Sequence, residues 1–170
     1  KNGGGIKSSA QNAQLNLTNV LIKDNYCYPT WSSAKGGGLY INRSKLKTNN
    51  VLVISNSSAN AGGVYYVSGG DTLSDMIIAN NKATQGNGGG FQLGGDLAVL
   101  KNITFANNNA SGFGNGLINS WDNTLMRVIN CTFLNDNEIY VSNIHENSTI
   151  SNSNFVDNNQ AIFNSDNSSI

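Results

Sequence analysis

Apolar and polar positions alternate along this chain in a unit that returns about every 25 to 30 residues. Each unit opens with a glycine pair or triplet running into an apolar residue: Gly4-Gly5-Ile6, Gly37-Gly38-Leu39, Gly62-Gly63-Val64, Gly89-Gly90-Phe91 and, degraded, Gly114-Asn115-Gly116-Leu117. Alternation follows at once, as in Leu39-x-Ile41, Val64-x-Tyr66, Phe91-x-Leu93 and Ile139-x-Val141. Later in the unit the apolar spacing is two residues and then one: Leu17, Val20, Ile22; Leu73, Met76, Ile78; Leu100, Ile103, Phe105; Val128, Cys131, Phe133; and, with serine in the middle, Ile150, Ser153, Phe155. The closing pair has the period of two that a strand facing a core requires, and the break before it implies a bend. Asn lies three residues beyond the closing apolar residue at Ile22/Asn25, Val53/Asn56, Ile78/Asn81, Phe105/Asn108 and Phe155/Asn158, with Phe133/Asp136 as a variant.

Motifs that recur in fixed order at this period define a solenoid. One repeat cannot bury its apolar side, whereas stacked repeats bury a continuous column and hydrogen-bond rung to rung as parallel sheets about 4.8 Å apart. Stacking also puts equivalent residues above one another. An inward Asn at the same turn of every rung can donate to one neighbour and accept from the other. A second polar column precedes the closing apolar residue by three positions: Asn19, Asn50, Asp75, Asn102, Asn130 and Asn152. The expected fold is all-β: a right-handed, single-stranded parallel β-helix of about six to seven rungs over residues 1–170, an excerpt of a longer chain. Ile22, Val53, Ile78, Phe105, Phe133 and Phe155 are its expected core column. Asn25 to Gly36 is the longest insertion, holding the single Pro and Trp31.

Composition narrows the function. The 170 residues include 31 Asn and 19 Gly but one Pro, and 12% are charged, about half the usual share of roughly 25%. Net charge is zero, which removes the electrostatic case for nucleic acid or an anionic membrane. No apolar run approaches the ~20 residues that span a bilayer. Neither Cys27 nor Cys131 has metal-ligand spacing, so no metal and no cofactor is expected. Four rungs separate them, roughly 19 Å at strand spacing. A disulfide needs Cα atoms within ~7 Å, so no bond between them is expected.

Sequons include those at Asn16, Asn42, Asn56, Asn102, Asn130, Asn147 and Asn167. Asn16, Asn42 and Asn147 fall outside the inward positions and are the expected glycan acceptors; Asn56 belongs to the inward ladder and should be bare.

The Gly-Gly-apolar units at residues 37–39, 62–64 and 89–91, with Phe105-x-x-Asn108 and Phe155-x-x-Asn158, resemble the repeats of polymorphic outer membrane protein passenger domains and, more broadly, pectin-lyase-like parallel β-helices. The aliphatic anchors Ile22, Val53 and Ile78, Asp136 in place of Asn, and the missing glycines after Asp136 depart from that pattern. The resemblance implies a secreted or surface protein, and it admits two functional readings. One is an extracellular structural or adhesive rod without catalytic activity. The other is a carbohydrate-binding or polysaccharide-cleaving β-helix, which needs converging carboxylates or a Ca²⁺ cluster with a base. Here the ten acidic residues are scattered, Asp71, Asp75 and Asp96 being the nearest set, and His145 stands alone beside Glu146 in a polar turn.

The rod reading has a candidate contact surface. Residues following the inward apolar residue of the Gly-Gly strand should face outward in a stripe: Tyr40, Tyr65, Gln92, Ile118, Tyr140 and Phe163. Tyr40, Tyr65 and Tyr140, with Trp31 of the insertion, are the expected interaction residues. Their expected partners are copies of the chain, other surface proteins or glycans.

Overall fold

A computed structural model describes residues 2–27, 33–67, 70–95, 97–119, 124–135, 139–141, 145–158, 160 and 162–164. In chain order the strands are β1 (Ile6–Ser8) and β2 (Gln14–Lys23); β3 (Leu39–Asn42), β4 (Lys45–Ile54) and β5 (Ser57–Ser58); β6 (Val64–Val67), β7 (Asp71–Ala79) and β8 (Lys82–Ala83); β9 (Phe91–Gly94), β10 (Leu97–Ala106) and β11 (Asn109–Ala110). Then come β12 (Leu117–Asn119), β13 (Leu125–Ile129) and β14 (Thr132–Leu134); β15 (Ile139–Val141), β16 (Thr149–Ser151) and β17 (Asn154–Val156); and β18 (Ile162–Asn164). There is no helix among the described residues, and so none long and apolar enough to cross a membrane.

All pairing is parallel between equivalent strands of successive turns, which makes the protein a β-solenoid. The Gly-Gly strands form a seven-stranded face, β1-β3-β6-β9-β12-β15-β18. The long strands form a second face, and β5, β8 and β11 form a short third one. Tyr26 adds a bridge to Ser57 at the edge of the third face. About four turns therefore carry all three faces, fewer than the six to seven rungs expected from repeat counting. The chain between the second and first faces also shortens: five residues separate Phe133 from Ile139, against eleven between Phe105 and Leu117.

The core follows the repeat register. Ile22, Val53, Ile78, Phe105 and Phe133 are buried, and Phe155 packs partly buried against them. Phe105, Phe133 and Phe155 stack nearly parallel, with centroids 4.7 and 4.9 Å apart. Cys131 takes the inward place held by Met76 and Ile103 on neighbouring strands. Burial holds its thiol pKa above the ordinary value. Cys27 is also buried, with Ala34 and Ala59. Neither cysteine is in a disulfide, in keeping with the rung separation.

The expected bend is a left-handed residue. Asn19, Asn50, Asp75, Asn102, Asn130 and Asn152 all have φ between 49° and 56°. Asn and Asp visit this region at lower cost than other side chains. A second corner of the same kind, at Asp24, Ser55, Asn80, Asn107, Asn135 and Asp157, precedes the inward Asn. The turn into the Gly-Gly strand makes a third, at Gly3, Gly36, Ala61, Gly88 and Gly114.

Candidate interaction surfaces

The two sequence motifs are one physical unit. Asn25 Nδ2 donates to Asn56 Oδ1 (2.9 Å), Asn56 Nδ2 to Asn81 Oδ1 (3.0 Å) and Asn81 Nδ2 to Asn108 Oδ1 (3.0 Å). Each Oδ1 also accepts the backbone N–H of the preceding Asn: Asn25 on Asn56, Asn56 on Asn81, Asn81 on Asn108. The remaining amide proton goes to the carbonyl of the previous turn's apolar anchor: Asn56 to Ile22, Asn81 to Val53, Asn108 to Ile78. Asn158 donates to the Phe133 carbonyl in the same way. Asp136 lies outside the described residues.

The second glycine of each pair gives this side chain its room. A Cβ on Gly63 would lie 2.9 Å from Asn81 Cγ, and one on Gly90 would lie 2.9 Å from Asn108 Nδ2. Real Cβ atoms do not approach that closely. Asn and Gly recur together because each amide occupies the space a glycine leaves.

Outside the core the structure departs from expectation. Tyr40 and Tyr65 do stack, with centroids 5.0 Å apart, but they are 8% and 5% exposed and do not form an open stripe. Lys35 Nζ sits 4.6 Å over the Tyr65 ring, and Lys7 Nζ is 5.7 Å from that of Tyr40. The backbone at Gly36 passes so close that a Cβ there would meet Tyr40 Cβ at 3.0 Å. Burial, and then Tyr40, push the Tyr65 hydroxyl pKa up, and burial pushes the Lys35 ammonium down. Gln92 and Ile118 continue the covered column, and Tyr140 is half-buried against Phe113, 4.7 Å between centroids. Trp31 lies outside the described residues, and so does the Phe163 side chain.

Exposed apolar side chains occur on the second face as well as at Tyr26, Phe113 and Ile162. Between the two closing inward residues of each turn, Leu21, Leu52, Ile77, Thr104, Thr132 and Asn154 point outward in register. Two residues on, Lys23, Ile54, Ala79, Ala106, Leu134 and Val156 form a parallel column. Leu21, Ile77 and Val156 are 59%, 43% and 44% exposed. The sequence carried a signal for this face: Val20-Leu21-Ile22, Val51-Leu52-Val53 and Met76-Ile77-Ile78 are apolar on both faces of the strand. A strand with one solvated face reads apolar on one side only.

Among the glycan acceptors, Asn16 and Asn147 are exposed. Asn42 is half-buried and its amide donates to the Tyr40 hydroxyl at 3.3 Å. Asn56 is buried in the ladder.

The candidate acid–base groups have structural partners. Asp71 Oδ2 accepts from the Leu46 N–H (2.9 Å) and the Tyr66 hydroxyl (2.7 Å). Asp75 is an exposed rung of the second ladder; bonds from Asn102 and then Ser74 lower its pKa. His145 Nδ1 accepts the Asn147 N–H within its own turn. Asp96 lies outside the described residues. No group of three His, Cys, Asp or Glu among the described residues could hold a metal ion.

Fold and surface together define a parallel β-solenoid repeat protein. Compared with known protein families, curated proteins and solved structures, the chain matches none.

Proposed function

We propose that this protein is an extracellular structural or adhesive rod that acts by presenting surfaces rather than by catalysis. The observation that carries this reading is the run of side-chain ladders through successive turns. The Asn25–Asn56–Asn81–Asn108 amides are saturated by one another and by anchor carbonyls. Aromatic stacking of Phe105, Phe133 and Phe155 continues the same column. Polar groups committed in this way hold a rigid shape and leave little to bind a reacting substrate. Asp71, one of the nearest acidic set, is tied to Leu46 and Tyr66. Exposed sequons at Asn16 and Asn147 suit an extracellular or cell-surface setting. The coupling of each Gly-Gly pair to an inward Asn supports the resemblance to polymorphic outer membrane protein repeats within the wider pectin-lyase-like architecture.

The test is surface shaving of intact source cells with protease, followed by glycopeptide mass spectrometry, beside incubation of the purified chain with acidic polysaccharides. Recovery of these peptides from the surface fraction, with no new reducing ends, is expected. Confinement to the cell interior would overturn the extracellular placement, and measurable cleavage would replace the rod with the polysaccharide-cleaving reading.

A further inference from the structure

We infer that Asn109 carries an N-linked glycan and that this glycan covers the edge at which the third face stops. The inference rests on the extracellular reading, because such glycans are added on the secretory route. Asn109-Ala110-Ser111 has the Asn-x-Ser form of an acceptor. It follows directly on Asn108 of the buried ladder, and only the structure separates the two: Asn108 is buried and Asn109 is exposed.

The structure sorts the acceptor sequences by what each amide nitrogen already does. Asn56 is buried, and its Nδ2 donates to Asn81 Oδ1 and to the Ile22 carbonyl, so both N–H groups are used. Asn102 and Asn130 are exposed, but Asn102 Nδ2 donates to Asp75 Oδ1 (2.9 Å) and Asn130 Nδ2 to Asn102 Oδ1 (2.7 Å). Asn42 Nδ2 donates to the Tyr40 hydroxyl. A glycan replaces one N–H on that nitrogen and sets a bulky, hydrated group beside it, which competes with each of these contacts. Asn109 is under no such constraint: its side-chain amide takes part in no hydrogen bond among the described residues. The backbone holds its strand instead. The Asn109 N–H donates to the Asn81 carbonyl (2.9 Å) and the Ser111 N–H to the Ala83 carbonyl (3.0 Å). Residues two apart on an extended segment share a face, so the Asn109 amide and the Ser111 hydroxyl stand outward together. Beside Asn109 in register are Lys82 and Ser57, one flexible and one small, which leave room for a sugar.

The position gives the glycan a role. The third sheet runs β11-β8-β5, so β11 is its last strand. The Ala110 N–H, which points away from β8, is taken by Asn115 Oδ1 at 2.8 Å rather than by a further strand. A strand edge of this kind is a template for addition of another chain. A glycan on the neighbouring residue puts bulk and bound water in the path of an incoming strand. Asn16 on β2 and Asn147 just before β16, the other exposed acceptors, belong to the long face.

The experiment is secretion of the full chain from a glycosylating eukaryotic cell, with site occupancy read in the secreted fraction by intact-glycopeptide mass spectrometry. Secretion is imposed there, so the result is independent of where the source cell keeps the protein, which surface shaving decides. Asn109 is expected to be occupied in most molecules and Asn56 to be bare. Ser111→Ala should remove the Asn109 glycan and Ser111→Thr should keep it. Both leave the backbone bonds of the strand in place, so circular dichroism and melting after enzymatic deglycosylation should match the parent. On concentration, Asn109→Gln should begin to scatter light at lower protein concentration than the parent. Asn147→Gln, which also loses one glycan, should not. A bare Asn109, or an Asn109 glycan that survives Ser111→Ala, would overturn the acceptor assignment. The same onset of association in Asn109→Gln and Asn147→Gln would overturn the covering role.

Discussion

Replacing Asn81 with Ala tests the physical basis of the solenoid. Asn81 is 1% exposed and sits mid-ladder. Its Oδ1 accepts from the Asn56 N–H at 2.9 Å and from Asn56 Nδ2 at 3.0 Å. Its Nδ2 serves Asn108 Oδ1 and the Val53 carbonyl. Truncation strands two buried donors on Asn56 and removes a donor from Val53, whereas Asn108 Oδ1 keeps the Asn81 backbone N–H. At about 1–3 kcal/mol for each stranded donor, the loss should be near 4 kcal/mol. That is a large part of the ~5–15 kcal/mol stability of a domain. Asn102→Ala is the control, on the exposed ladder. Water replaces the bonds it makes to Asp75 and receives from Asn130, and only the left-handed backbone preference is lost, about 1 kcal/mol. Urea unfolding followed by far-ultraviolet circular dichroism measures both variants. Native-state hydrogen exchange should show the Asn56 amide deprotected in Asn81→Ala alone. Equal losses in the two variants, or an unchanged Asn56 amide, would refute the claim that the buried ladder holds the rungs together.

Four further outcomes follow from the same geometry. Phe105→Ala should cost roughly 3–5 kcal/mol in the same unfolding assay, because Phe105 is fully buried and stacked on Phe133. Gly90→Ala should prevent or severely weaken folding, since its Cβ would meet the Gly116 carbonyl at 2.6 Å and Asn108 Nδ2 at 2.9 Å; a thermal melt matching the parent would contradict the Asn–Gly coupling. The Asp75 carboxylate, its pKa lowered by Asn102 and Ser74, should contribute stability that is present above the unfolded carboxylate pKa and lost as pH falls through the lower folded value. Asp75→Asn, the residue found at the other rungs of that column, should abolish this acid dependence. The Cys131 thiol, its pKa raised by burial, should contribute stability that is present below the unfolded thiol pKa and lost as pH rises toward the folded one; Cys131→Val should remove this alkaline loss at a cost below about 1.5 kcal/mol.

The amino-acid sequence by itself determined the features that repeat. Stacking places equivalent residues above one another, so the inward column from Ile22 to Phe155, the Asn25–Asn56–Asn81–Asn108 ladder and a bend before the closing apolar pair were legible from spacing; that Asn19 and its equivalents make the bend in a left-handed conformation appeared only in the structure. Separation along the rod likewise ruled out a Cys27–Cys131 bond. Repeat counting gave more rungs than the structure has complete turns, since among the described residues the first face has seven strands and the third has three with one added bridge. What only the tertiary structure decided was the outside. Strand alternation shows that Tyr40 and Leu21 both point away from the core, and nothing local separates them. Their exposure depends on what packs over each face. Lys7, Lys35 and the corner at Gly36 close over the Tyr40–Tyr65 stack, while Leu21 and Ile77 are left open. Inward direction is set by neighbours two residues away, but cover is set by segments a whole turn away, whose paths over the rod appear only when the turns are assembled.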